Sequence, residues 1–212
     1  MAITASENTT TGKDFKKVPP GCWFAICNMV VDLGVQETTF KGDTKQQHKV
    51  YLRFEVPDER VTYEKDGTEV EGPCSIGVTY TLSLHPKAKL RTVLENWRGK
   101  LFTPEELKGF DITKLAGKPC QIMVQNSEGA DGKVYANITG IIGCSKEQNE
   151  RKKTAKSEVG VLVYELDKPD AAVYEKLPKW LKEKLEHRIQ PTLKAVTETP
   201  SANADFDDDV PF

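Results

Sequence analysis

Polar and apolar residues alternate most cleanly between Gln47 and Val56. Val50, Leu52, Phe54 and Val56 fall on one face, and Lys49, Tyr51, Arg53 and Glu55 on the other. A period of two predicts a half-buried strand. The same alternation runs from Ile76 to Leu84, with Ile76, Val78, Tyr80, Leu82 and Leu84 inward. Upstream, Cys22 to Leu33 is rich in aromatic and β-branched residues and ends at Gly34, which predicts another strand. Lys65-Asp66-Gly67 marks a turn.

Past Leu84 the period lengthens. Pro86 stands where a first-turn proline belongs, Leu90, Val93, Leu94 and Trp97 follow at helical spacing, and Gly99 is a stop signal. Thr103-Pro104-Glu105-Glu106 predicts a second, short helix closed by Gly109. Strand patterning returns at Pro119 to Asn126 and Lys133 to Gly143, with Asp131-Gly132 as the hairpin turn. The expected fold is therefore mainly β: a five-stranded OB-fold barrel with a helical insertion between strands 3 and 4. Such barrels take oligonucleotides on an exposed sheet face and its loops, although other small barrels and α+β sheets share this patterning.

The chain divides into four expected segments. Residues 1–17 form a polar arm with no hydrophobic segment and so no secretory signal. Residues 18–144 hold the OB-fold. Residues 145–191 begin as a basic linker (Lys146, Arg151, Lys152, Lys153, Lys156) and continue as a strand over Gly160 to Leu166 and an amphipathic helix over Pro178 to Ile189. The stripe Leu181, Leu185, Ile189 either packs that helix back on the barrel or makes a homo-oligomer. Residues 192–212 are expected to be disordered.

Charge adds a polarity to this picture. The chain holds 30 Lys and Arg against 32 Asp and Glu, but from Glu198 onward the charged residues are Glu198, Asp205, Asp207, Asp208 and Asp209, with no Lys or Arg. The remainder is mildly cationic, which suits a body that meets polyanions. Five cysteines are scattered without a Cys-x-x-Cys pair, so free thiols in a reducing compartment are expected and a structural zinc is not. No apolar run approaches the ~20 residues that cross a bilayer. Phosphate-binding, dinucleotide, metalloprotease and nucleophile-elbow motifs are all lacking. The expectation is a non-enzymatic protein with no cofactor and no metal.

Three features carry functional information. Lys49 and Arg53 flank Tyr51 on the polar face of one strand, and Lys133 and Tyr135 extend that pattern on the last strand. Cations beside a stacking ring are what sequence-tolerant single-strand binding requires, since every base has a π-face and every nucleotide a phosphate. The same residues on an arbitrary strand would be ordinary solvated side chains. A second basic stretch, Lys87 to Lys100, surrounds Trp97 and Arg98; it could line a backbone groove or be the wet side of a helix with Trp97 in the core. The third feature is Asp207-Asp208-Asp209-Val210-Pro211-Phe212, an acidic run ending in an aromatic residue. Ring, carboxylate and acids make a compact handle for a partner pocket with a basic rim.

That hexapeptide resembles the tip of bacterial single-stranded-DNA-binding proteins, with Val210 in place of Ile. The body resembles the single-stranded-DNA-binding proteins of tailed bacteriophages. The matching pieces include Val31-Asp32-Leu33-Gly34, Phe54-Glu55-Val56-Pro57, Tyr80-Thr81-Leu82-Ser83-Leu84-His85, Asn96-Trp97-Arg98-Gly99 and Gly109-Phe110-Asp111. The resemblance implies an OB-fold and sequence-independent binding and protection of single-stranded DNA during replication, recombination and repair. It also implies a cytoplasmic address in a bacterial host cell, and replication or recombination proteins as partners of the tail. A recombination mediator or strand-annealing protein is the alternative, and a small nuclease a third reading disfavoured by the apolar strand interiors. The extension from Ser145 departs from the bacterial pattern.

Overall fold

The computed structural model describes residues 16–40, 43–65, 67–129 and 131–189. Long strands dominate: β1 (Gly21–Phe40), β2 (Asp43–Lys65), β3 (Thr68–Thr81), β4 (Pro119–Glu128), β5 (Val134–Ile142) and the short β6 (Leu162–Tyr164). They form one six-stranded sheet in the order β3-β2-β1-β4-β5, with β6 beside β1. All pairings are antiparallel except β6 on β1. The first three strands run well beyond their expected ends, so β1 with β2 and β2 with β3 make extended two-stranded arms.

β1 serves two partners on one side. Gly21 to Ile26 pairs with β4, and Met29 to Val31 pairs with β6. Irregularities between Cys27 and Met29 and between Asp32 and Gly34 bend the strand at the hand-over.

The inward alternation seen in the sequence becomes the main core: Val50, Leu52, Phe54 and Val56 of β2 meet Cys74, Ile76 and Tyr80 of β3 and Ile122 and Val124 of β4. Helix α1 (Lys89–Arg98) closes this core with Leu90, Val93, Leu94 and Trp97, and Gly99 ends it in the left-handed region at φ 69°. The helix begins three residues after Pro86, at Lys89, with Ala88 as its N-cap, so Pro86 lies in the preceding turn rather than in the helix. Helix α2 (Pro104–Lys108) has the expected cap: Thr103 accepts from the Glu106 amide, and Glu106 from the Thr103 amide. Cys27, Cys74 and Cys120 are buried thiols, and burial pushes Cys27 up to about 12.

The extension from Ser145 is ordered and corrects the reading of Ser145 to Ser157 as a linker. It holds α3 (Asn149–Thr154), β6, α4 (Ala171–Glu175) and α5 (Lys179–Glu186). Arg151 of α3 makes a two-pronged bond to Asp58, 2.7 Å on each arm, and lies 4.1 Å over the Phe24 ring. Helix α5 packs back on the sheet. Leu181 and Leu185 join Leu177 and Tyr164 against Met29, Val31, Leu33 and Tyr51, a second core on the outer face of β1 and β2. None of the described helices is long and apolar enough to cross a membrane.

Candidate nucleic-acid interface

The second core changes the character of the outer face of β2. Tyr51 points away from the main core, as the alternation requires, but α5 covers it and leaves it 9% exposed. Its ring meets Trp180 edge-on at 5.0 Å between centroids. The expectation of Tyr51 as an open stacking platform is thereby corrected. The reason is an apolar layer supplied by residues more than a hundred positions downstream.

Arg53 is drawn into a buried polar chain. It donates to Asn28 Oδ1 at 2.9 Å, and Asn28 Nδ2 donates to Glu55 Oε2 at 3.2 Å. Glu55 is 0% exposed and also accepts from the Ser157 hydroxyl and from the backbone amides of Glu158 and Val159. A carboxylate can be buried when its lone pairs are filled in this way. Glu55 therefore fastens the extension to the sheet. Burial holds the Arg53 guanidinium below its ordinary value, opposed by Tyr51 and Glu55. Lys49, half-buried, reaches Gln47 Oε1 at 2.6 Å and Thr81 Oγ1 at 2.8 Å.

Two other expected contact residues are placed elsewhere. Trp97 is core, packed on Phe54 and donating its indole N–H to the Pro119 carbonyl at 3.0 Å. Arg98 is paired with Glu106 and lies over the rings of Phe102 and Phe110, so most of its guanidinium is engaged within the protein. The helical spacing of Trp97 with Leu90, Val93 and Leu94 already carried the signal for core.

Tyr135 and Lys133 do face outward. Tyr135 is 39% exposed and donates its hydroxyl to Asp131 Oδ2 at 2.7 Å, a bond that raises the phenol and lowers the carboxyl. Lys133 Nζ lies 3.8 Å from the same carboxylate.

Sequence reasoning missed Trp180. It is 42% exposed, off the Leu181–Leu185 stripe of α5, with Lys184 Nζ 5.8 Å from its ring. A tryptophan one position away from an amphipathic stripe was the available signal.

These residues share one surface. Gly77 lies under Tyr51: a Cβ there would sit 2.0 Å from the Tyr51 hydroxyl, so glycine is what lets the ring lie flat over β3. Beyond Gly77 opens a cleft of 540 Å³ lined by Val78, Tyr135, Ala136 and Asn137. Across the ladder Gly77 pairs with Arg53, which floors a larger groove of 1220 Å³ with Tyr63, Ser75, Val159 and Pro178 on its walls. Glu64 and Glu69 also line the groove. The result is a strip running from Tyr135, past Gly77 and Tyr51, to Arg53 and Trp180.

No protein-family model matches this chain, and no curated protein matches it either. Among the described residues, no grouping of His, Cys, Asp and Glu could hold a metal ion. The tail residues Asp207, Asp208, Asp209, Val210, Pro211 and Phe212 lie outside the described residues.

A titratable pair sits at the root of the β1–β2 arm. His48 Nε2 is 2.5 Å from Asp32 Oδ1, and the Gly34 amide donates to the same oxygen at 2.9 Å. Bonding to Asp32 raises His48, while for Asp32 the burial that would raise it is outweighed by its bonds to His48 and Gly34. His48 therefore stabilises the fold fully below about pH 6.5, its ordinary value, and that contribution fades as pH rises through the raised one. Asp32, held low, loses its own contribution as pH falls through its depressed value. Melting temperature should decline from about pH 6.5 upward, and more steeply than in His48→Gln. Parallel profiles for the two proteins would show that the pair contributes nothing.

Proposed function

We propose that the protein binds single-stranded DNA without sequence preference, along the strip from Tyr135 to Trp180, and acts in DNA replication, recombination and repair. The observation that carries the reading is the meeting of two open grooves at the Arg53–Gly77 pair, with exposed rings at both ends. Exposed rings give bases a stacking surface of either side, and Arg53, Lys133 and Lys184 bring positive charge to the backbone. The strand order β3-β2-β1-β4-β5, with α1 between β3 and β4, supports reading the sheet as an OB-fold barrel, and an OB-fold offers such a face.

Fluorescence titration with single-stranded and duplex oligonucleotides tests this. The indoles of Trp23 and Trp97 are bonded internally, to the carbonyls of Pro19 and Pro119, so quenching should report Trp180. Single strands should bind more tightly than duplex, and log affinity should fall linearly with log salt as condensed counterions are released. Equal affinity for the two forms, or affinity flat in salt, would defeat the reading.

The acidic tip belongs to the same proposal as the handle for replication or recombination proteins. Removing Phe212 should abolish capture of such a partner and leave single-strand affinity almost unchanged, because Asp207 to Asp209 remain. Full partner binding without Phe212 would reduce the tip to a solubility device.

A further inference from the structure

We infer that a pocket at the opposite end of β5 from Tyr135 is a binding site for a phosphate group. It encloses 270 Å³ and is lined by Trp97, Arg98, Lys114, Lys118, Cys144 and Lys152, among others. From Tyr135 to Gly143 the strand spans about 26 Å at ~3.3 Å per residue, so this pocket is separate from the strip.

Its charge is one-sided. Four cations converge from four places in the fold: the end of α1, the 3-10 turn Ile112–Leu115, the loop before β4, and α3. No Asp or Glu lines the pocket. Among the described residues the nearest acids act at its margin, Asp111 at 3.9 Å from Lys114 and Glu106 on Arg98. Lys118 and Lys152 have no acidic partner within 4.0 Å among the described residues. Cations crowded without counter-charge repel one another, and an anion between them removes that repulsion.

Arg98 supplies an independent observation. Its guanidinium is held over Phe102 at 4.4 Å and Phe110 at 5.1 Å, and its Nη1 is buried with no hydrogen-bond partner. A buried donor without an acceptor is destabilising by itself and calls for one that is absent from the protein. The pocket is also rigidly built: the Gly143 amide donates to the Asn96 carbonyl, and the Trp97 indole to Pro119, tying β5, α1 and β4 together around it. Four cations on fixed elements suit a phosphate monoester, which carries about −1.5 to −2 charges at neutral pH. The phosphate can be that of a mononucleotide or of a nucleic-acid strand.

Cys144, partly exposed in the pocket wall, is a built-in reporter. The test is the rate of its alkylation by uncharged iodoacetamide, read by peptide mass spectrometry on the full chain. Probes are thymidine monophosphate and a thymidylate oligomer bearing a terminal phosphate. At ligand ten times its dissociation constant, alkylation should slow about tenfold. Slowing by the mononucleotide supports a free phosphate ligand, and slowing by the oligomer alone supports the end or backbone of a strand. In Lys118→Gln/Lys152→Gln, two exposed positions, the protection should vanish while melting temperature and Trp180 quenching by single strands persist. Slowing no greater than sodium chloride gives at equal ionic strength would overturn the assignment. It would also fall if changing Asp207, Asp208 and Asp209 to Asn sped alkylation in the ligand-free protein while phosphate added no protection, since the pocket would then be the tail's.

Discussion

Glu55→Ala should destabilise the protein by about 3–5 kcal/mol, the range for removing one member of a buried charged network. The substitution strands the Asn28 amide and the backbone amides of Glu158 and Val159, which now point at the Glu55 carboxylate, and leaves the Ser157 hydroxyl with the Gly160 carbonyl as its acceptor. Each buried donor left without an acceptor costs about 1–3 kcal/mol, and relaxation toward water recovers part of it. Urea unfolding gives the total. Limited trypsin digestion locates it, because Arg151, Lys152, Lys153 and Lys156 adjoin the fastened loop and should be cut first when it comes loose. Glu55→Gln should fall between alanine and the parent, since an amide keeps one acceptor and adds donors where donors already crowd. A loss below about 1 kcal/mol for alanine, in the range of a surface ion pair, would mean that the network is not what holds the extension.

Trp180→Ala should weaken single-strand binding by about 1–3 kcal/mol, the usual range for losing a base-stacking ring. Every 1.4 kcal/mol is about tenfold in affinity, so the change is easily measured. The fold should survive, because Leu181 and Leu185 carry the packing of α5 and Trp180 is the residue beside their stripe. Tyr51→Ala is the instructive contrast. It removes a covered ring from the second core and should lower stability together with affinity. Unchanged affinity in a folded Trp180→Ala protein would move the strand off this end of the surface and leave Tyr135 as the next ring to test.

Much of this architecture was readable because local signals agreed with the final fold. Val50 through Val56 alternate and are buried on one face, and Leu90 through Trp97 have helical spacing and pack inward. Thr103 with Glu106 makes the cap that its spacing announces. The misreading with the largest consequence lay on the face of β2 that holds Tyr51, Arg53 and Glu55. A polar side chain two residues from another polar side chain looks solvated on a strand, and nothing within β2 says otherwise. The clue lay in β1. Met29, Val30, Val31 and Leu33 form a nearly unbroken apolar run, which is the pattern of a strand buried on both sides. A strand of that kind needs a second layer, and the Leu181–Leu185 stripe belonged to an amphipathic helix expected either to pack back on the barrel or to join copies of the chain. Joining the two requires knowing which distant segments meet, and periodicity carries no such information.

The arrangement of β1 also sets an order of events when the chain folds. The edge from Met29 to Val31 pairs with Leu162 to Tyr164, some 130 positions away, whereas Phe40 at the end of β1 pairs with Asp43 at the start of β2, three positions on. Short closures are entropically cheaper and faster, so the β1–β2 arm forms early and the parallel pairing late. In the interval a nascent chain presents the unpaired strand edge Met29, Val30 and Val31 to its neighbours, the kind of edge that templates association between chains. The partially made protein is thus its most aggregation-prone form, and refolding yield should fall with protein concentration even though the finished edge is capped.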